Sequence, residues 1–385
     1  MIGRCKRLKV EGDTLDRLTD LPIYVKHQIE EHLSIEEAAK RSVLSRAWRH
    51  VWSSIPKLVF SAQFCKNKPS EKLIDIINTI LSQHDGAIKA ILLNISTIPS
   101  SQHSIIDQWM LLLSRNGRHP ALGVSTSSKV FHYVATSFLW MPNLENLRFM
   151  SCSGLHHLKI CAPELLLLSF FTSGIDNLQL GHFIDCRKLK AVALASQNNQ
   201  HKVMNLTNLL SGWTKVCRLL LDSYYLKSFA SGTEVERFAT RLDNLRVLSF
   251  HQFNFDDEDQ ISSLIRMLSA SPNLNALLFS LGSKNKGDIE VNVNHFEGPT
   301  YRRQGLNKLK ELKIDHFHGS RTELLFVRSI LASAPLLLKA TLLLDESVHE
   351  GQHLKISKEL KGFPQASPKL KIICEPLKQT KRVLH

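Results

Sequence analysis

The side chains best suited to chemistry in this sequence are few. Asp315-His316-Phe317-His318 has the most metal-ligating character, because strand alternation returns residues 316 and 318 to one face, where two imidazoles can converge. His156-His157 is a second pair. Neither is followed by a third and fourth ligand at metal-like spacing, so surface or core imidazole is the plainer reading. Asp256-Asp257-Glu258-Asp259 gathers carboxylates without the glycine and distal glutamate of a calcium loop. It reads as the acidic first turn of a helix, where negative charge meets the positive end of the helix dipole. Seven scattered cysteines (Cys5, Cys65, Cys152, Cys161, Cys186, Cys217, Cys374) form no CxxC pair and predict free, mostly buried thiols in a reducing compartment. No P-loop, GxGxxG or GxSxG elbow is present, and no local Ser/His/Asp or Cys/His arrangement suggests a triad. The expectation is a protein with no catalytic residue, metal or cofactor of its own.

The formal net charge of +14 raises the question of nucleic acid. Lysines and arginines are spread along the chain, with small clusters only at 4–9 and 378–382, which read as solvated termini or weak nuclear-import signals. Nucleic-acid binding is therefore not selected, and a basic surface suits an acidic partner equally well. The most apolar stretch, 324–344, is interrupted by Arg328, Pro335 and Lys339 and reads as a helix then a strand rather than a membrane span. With no amino-terminal apolar leader visible, the expectation is a soluble protein of the cytoplasm or nucleus.

The elements around these residues form a repeating pattern. A phrase L-x-x-L-x-L begins at Leu144, Leu155, Leu165, Ile175, Leu189, Val216, Leu245, Leu274 and Leu309, with a looser version at Leu336. Early phrases stand 10 to 14 residues apart and later ones 27 to 35. Such phrases mark leucine-rich repeats, one strand each, lining a concave sheet. Only the longer spacing leaves room for a convex-side helix, so a helix-poor middle and a helix-backed later part are expected. Helices are signalled by the stripe Leu73, Ile76, Ile77, Ile80, Leu81, by Ser104–Arg115, and by Ile261, Leu264, Ile265, Leu268 after the acidic run. Met204, Leu206, Leu209 and Leu210 suggest a shorter one. Capping boxes stand at Thr233–Glu236 and Ser320–Glu323, and Pro272 and Pro335 follow helix ends. Ile88–Ile95 and Leu122–Ser125 are strand-like, and Trp109, Trp140 and Trp213 read as solenoid core.

Residues 15–60 stand apart as a small helical unit with little core of its own. Asp20 can cap a first helix that carries Pro22 in its opening turn and Leu21, Val25, Ile29 and Leu33 along one face. Ser34–Glu37 has the form of a capping box for a second helix with Ala38, Ala39 and Val43. Trp48 and Trp52 sit one turn apart on a third. Leu21-Pro22, Ile29, Leu33, Glu37-Ala38 and Ser-Val-Leu-Ser-Arg-x-Trp-Arg-x-x-Trp at 42–52 resemble the F-box of plant F-box proteins. Glu30, Ser34 and Ala47 depart from that pattern. A carboxylate at position 30 on a docking face must be desolvated or turned aside.

Further along, Leu309–Ser320, Glu323–Pro335 and Leu360–Lys369 resemble the FBD region that closes many plant F-box/leucine-rich-repeat chains. The resemblance implies an α+β to α/β solenoid with an F-box at 13–60, repeats at 61–305 and FBD-like terminal repeats at 306–385. It also implies a substrate-recognition subunit of a Skp–cullin–F-box ubiquitin ligase. The adaptor, and through it a cullin, would be held by Leu21, Pro22, Val25, Ile29, Leu33, Val43, Leu44 and Trp48. Arg148, Lys159, Gln179, Arg218 and Lys313, at variable strand positions, would meet a protein target. The alternative is a leucine-rich-repeat scaffold with a degenerate F-box that joins no ligase. In family members more repeats usually stand between Arg115 and Leu144, so this array is expected to be short.

Overall fold

The computed structural model describes residues 18–44, 48–102, 104–116, 138–152, 159–172, 183–184, 186–196, 214–227, 241–282 and 306–377. An eleven-stranded parallel sheet runs through these segments. Its strands, in spatial order, are β1 (Lys57–Phe60), β2 (Ala90–Asn94), β4 (Asn146–Met150), β6 (Leu167–Thr172), β8 (Ala191–Ser196), β9 (Arg218–Asp222), β10 (Val247–Phe253), β11 (Ala276–Leu281), β12 (Glu311–Phe317), β13 (Lys339–Leu344) and β14 (Lys371–Pro376). β3 (Phe138–Trp140), β5 (Lys159–Cys161) and β7 (Phe183–Ile184) form a separate three-stranded parallel sheet. The order in each sheet follows the chain, which is what a coil of repeats produces.

Strand alternation sends one face of the large sheet into the core. Leu58, Ile91, Leu147, Leu168, Val192, Leu219, Leu248, Leu277, Leu312 and Ala340 stand in one register row and are all buried. The row two residues on adds stacked rings on neighbouring strands, Phe149 with Phe170 at 5.3 Å and Phe250 with Phe279 at 5.2 Å. Before β2, β4, β6 and β8 to β13, one carbonyl of the preceding repeat accepts two amides of the next. Glu145 O takes Leu166 N at 2.7 Å and Leu167 N at 3.0 Å, and Arg246 O takes Asn275 N and Ala276 N at 2.8 and 3.0 Å.

A second layer covers this core. First come helices α3 (Ala62–Cys65), α4 (Ser70–Gln83) and α5 (Ile105–Asn116); then the three-stranded sheet; then α6 (Ser223–Lys227), α7 (Glu258–Ala270), α8 (Arg321–Ser333) and α9 (Glu350–Lys361). The α4 stripe buries Leu73, Ile77, Ile80 and Leu81 as its spacing predicts, with Ile76 half-buried at its edge. Asp257 caps α7 by accepting from Gln260 N at 3.2 Å, and Ser320 with Glu323 forms the expected capping box on α8.

The closely spaced phrases resolve differently from expectation. Those at Leu144, Leu165 and Leu189 enter the large sheet as β4, β6 and β8, whereas that at Leu155 enters the small one as β5. The chain therefore makes two strands per turn of the solenoid here, one on each layer, because ten residues are too few for a helical return. Leu139 and Ile160 on the small sheet fill the same core as Leu147 and Leu168. Residues 306–377 continue the same sheet through β12–β14 and end on an edge strand carrying Lys371, Glu375 and Pro376, residues that discourage further pairing. The readings at 122–125, 204–210 and 233–236, and at Trp213 and His156-His157, fall outside the described residues.

Candidate functional site

At the amino-terminal end, α1 (Ile23–Glu30) and α2 (Ile35–Leu44) precede a 3-10 turn at Trp52–Ser54. Two expectations need correction. Pro22, not Asp20, occupies the N-cap and makes no side-chain cap. Residues 48–51 form a turn leading into the 3-10 turn, so Trp48 and Trp52 are not on a third α-helix. The capping box on α2 is present, with Ser34 N donating to Glu37 Oε2 at 3.0 Å and Glu37 N to Ser34 Oγ at 3.3 Å.

The unit is seated on the first repeat. Ile35 joins the solenoid core and Glu36 Oε1 lies 2.8 Å from Lys68 Nζ, while His27 Nε2, 2.9 Å from Ser54 Oγ, ties α1 to the 3-10 turn within the unit. Gly86 allows the close approach here, since a Cβ would stand 2.5 Å from Ser54 O.

Of the expected stripe only Val25 and Ile29 lie on α1, Leu21 and Leu33 falling in the bends on either side; all four are half-buried, and Pro22 is exposed. The face of α1 turned inward carries Lys26 and Glu30 instead. These follow Val25 and Ile29 by one position, about 100° around the helix. Lys26 Nζ donates to Thr19 O at 2.8 Å and lies 5.9 Å from the Trp48 ring centroid. Glu30 is 1% exposed and neither carboxylate oxygen has a hydrogen-bond partner among the described residues. Burial pushes its pKa up to about 7, against the pull of Arg41. The carboxylate is thus turned away from the apolar stripe. Leu18, Ile23 and Tyr24 are 58%, 54% and 65% exposed, large apolar side chains at the surface that spacing rules did not pick out. Val43 and Leu44 lie in α2, and Trp48 is half-buried in the following turn.

The face of the large sheet opposite the core is the second candidate. Arg148, Ser169, Ala193, Leu220, Ser249, Leu278 and Lys313 occupy one row in register. Arg218 stands in the row before it, between Ala191 and Val247. Arg148, Arg218 and Lys313 are therefore brought to one face. Lys159 is not among them, because its strand belongs to the small sheet, and Gln179 lies outside the described residues. Lys313 Nζ is already held by Asp315 Oδ2 at 2.8 Å.

His316 and His318 converge, but on a carboxylate. His316 is a bulged residue at φ 60°, which lets its Nδ1 reach Asp345 Oδ2 at 3.2 Å while His318 Nε2 lies 3.8 Å from Asp345 Oδ1. His318 Nδ1 is also 3.5 Å from Glu323 Oε1, whose partner oxygen caps α8. The cluster binds β12 to the loop after β13, and no group of three or more His, Cys, Asp or Glu suited to a metal occurs among the described residues. The six described cysteines are free, with Cys65, Cys152 and Cys186 buried. Trp140 corrects the core reading of the tryptophans: it is 36% exposed and borders a shallow cavity with Ile88, Leu113 and Met141. Trp109 is buried and donates Nε1–H to Asn78 Oδ1 at 2.7 Å. No helix among the described residues is long and apolar enough to cross a membrane.

Comparison with known proteins places this architecture. F-box/FBD/LRR-repeat protein At1g13570 of Arabidopsis thaliana is 26% identical over 415 residues, covering 94% of this chain and 99% of the relative. F-box/FBD/LRR-repeat protein At5g53840 is 20% identical over 97% of the chain and 98% of its own length, and putative F-box protein At1g67390 is 24% identical over 86% and 70%, both from the same plant. The family model described as At1g61320/AtMIF1, LRR domain, matches residues 128–373. The chain belongs to the plant F-box/FBD/LRR-repeat family.

Within this F-box/FBD/LRR-repeat chain, the alignment to At1g13570 is longer than the chain's own 385 residues, so the relative carries residues that have no counterpart here.

Proposed function

We propose that this protein is the substrate-recognition subunit of a Skp–cullin–F-box ubiquitin ligase. On this reading residues 18–60 bind a Skp-type adaptor through Leu21, Pro22, Val25, Ile29, Leu33, Val43, Leu44 and Trp48, to which the exposed Leu18, Ile23 and Tyr24 are added. The observation that carries it is the half-exposed apolar stripe through α1 and its flanking bends, with the one carboxylate, Glu30, turned inward. An apolar face left uncovered next to a well-packed solenoid is what a permanent protein partner needs. The naming of its relatives as F-box proteins supports the same assignment. The open sheet face then holds a protein target, the terminal repeats at 306–377 act as an FBD-type cap, and the function is positional. The seating of the amino-terminal unit on the first repeat fixes the target relative to the ligase and raises its effective concentration at the conjugating enzyme. The chain itself performs no catalysis and works in the cytoplasm or nucleus.

The test is co-purification of the full chain with a Skp-type adaptor, beside a Leu21→Ala/Pro22→Ala variant. Stoichiometric complex lost in the variant is the expected result. An intact chain that fails to hold the adaptor replaces this reading with that of a leucine-rich-repeat scaffold.

A further inference from the structure

The open face of the large sheet has a charge pattern that specifies what it can hold. Between Arg148 on β4 and Arg218 on β9 its floor is made by Leu167, Ser169, Ala191 and Ala193, and it continues beyond Arg218 as Leu220, Val247, Ser249 and Leu278. The alanines leave this floor shallow and able to accept a partner's larger aliphatic side chains. No ion pair joins Arg148 or Arg218 to an acidic group among the described residues, whereas Lys313 is neutralised by Asp315. Towards the carboxyl-terminal end of the face, Lys339 and Lys371 add exposed cations against Glu311 and Glu375. In the same row as Arg148, the buried Thr341 hydroxyl has no hydrogen-bond partner among the described residues.

A guanidinium at the border of a largely apolar floor is suited to one carboxylate, held bidentately and partly desolvated. The two arginines are three strands apart and offset by two residues along the strand, roughly 16 Å between backbones at about 4.8 Å per strand and about 3.3 Å per residue. A nucleic acid asks for a dense file of cations against its phosphates; this face places leucine, valine, alanine and serine between its charges, the anatomy of a protein interface.

We propose that the target of this face is an acidic protein segment that presents two carboxylates about 16 Å apart with aliphatic side chains between them, one carboxylate to Arg148 and one to Arg218. The proposal deepens the target-binding half of the function above and rests on that half alone, not on the adaptor.

The experiment is selection of a randomised displayed peptide library on the full chain and, in parallel, on an Arg148→Glu/Arg218→Glu variant. Both positions lie outside the core, and an unchanged thermal midpoint checks that the variant folds. Enrichment of Asp and Glu together with Leu, Ile or Val on the native chain is expected. The selected peptides should bind the variant at least tenfold more weakly, and the variant's own pool should turn basic. A neutral or basic pool on the native chain, no consensus, or acidic peptides that bind both proteins alike would overturn it. So would binding of a single-stranded 30-nucleotide oligonucleotide that competes with the peptides and is lost in the variant. Adaptor co-purification with the same variant separates the two readings: retained adaptor with a failed selection sinks only the acidic target, and a successful selection without adaptor sinks only the ligase.

Discussion

The carboxylate of Asp222, at the end of β9, accepts the backbone amide of Ser196 from the end of β8 with one oxygen and that of Tyr225, in α6, at 2.9 Å with the other. A single buried side chain thus ties two repeats and the first turn of the following helix together. Burial pushes its pKa up to about 6 even though those amides favour the charged form.

Asp222→Ala should therefore cost about 2–3 kcal/mol in denaturant unfolding, since two buried amides lose their acceptor. The sign of the pH effect follows from the raised value. The folded protein holds this proton over the window from about 4 to about 6 while the unfolded chain has lost it, so this group adds stability as pH falls through that window. Asp222→Asn, which can serve only one of the two amides as acceptor, should be less stable at pH 7 and show a flatter stability profile between pH 4 and 6 (roughly the window set by these values). Urea midpoints at several pH values decide it.

Glu30 gives the same sign at higher pH. Its folded pKa near 7 lies above the ordinary 4.5, so ionised Glu30 destabilises above neutrality and is harmless below the ordinary value. Glu30→Gln should stabilise the protein by about 1–3 kcal/mol at alkaline pH, with the gain gone in acid. Because the carboxylate points inward, the same variant should leave adaptor affinity within about twofold, a small change on the scale where 1.4 kcal/mol is tenfold. A large loss of adaptor binding would place Glu30 on the docking face after all.

Tyr24→Asp, by contrast, puts a charge at an exposed apolar position on α1. Adaptor affinity should fall by at least about tenfold, with the unfolding midpoint unchanged, because central aromatic anchors dominate interfaces. Calorimetric titration of adaptor into both proteins measures it.

Gly319 stands at φ 70°, and a Cβ there would lie 2.3 Å from Ile356 Cδ1 on α9. Just beyond it, Glu323 Oε2 accepts the amides of His318 and Gly319 at 2.9 and 2.8 Å. Gly319→Ala and Glu323→Ala should each destabilise the terminal repeats by about 1–3 kcal/mol. Limited proteolysis should then cut first within 306–377, ahead of the earlier repeats.

The sequence determined much of this by local rules. The i, i+3, i+4 spacing of Leu73, Ile77, Ile80 and Leu81 fixed the buried face of α4, and Ser320 with Glu323 fixed where α8 begins. Alternating apolar residues in each L-x-x-L-x-L phrase fixed which side chains of β4, β6 and β8 enter the core, since period two is a property of the single strand. Tertiary structure alone decided which layer each phrase joined, as when the phrase at Leu155 left Lys159 on the small sheet, away from Arg148. Alternation specifies two faces but not a neighbour, and the neighbour was set by filling one core from both layers with Leu139, Leu147, Ile160 and Leu168. Packing likewise turned Glu30 inward and left Trp140 at the surface. In both cases a residue's fate depended on what the first repeats placed against it, which no spacing along the chain encodes.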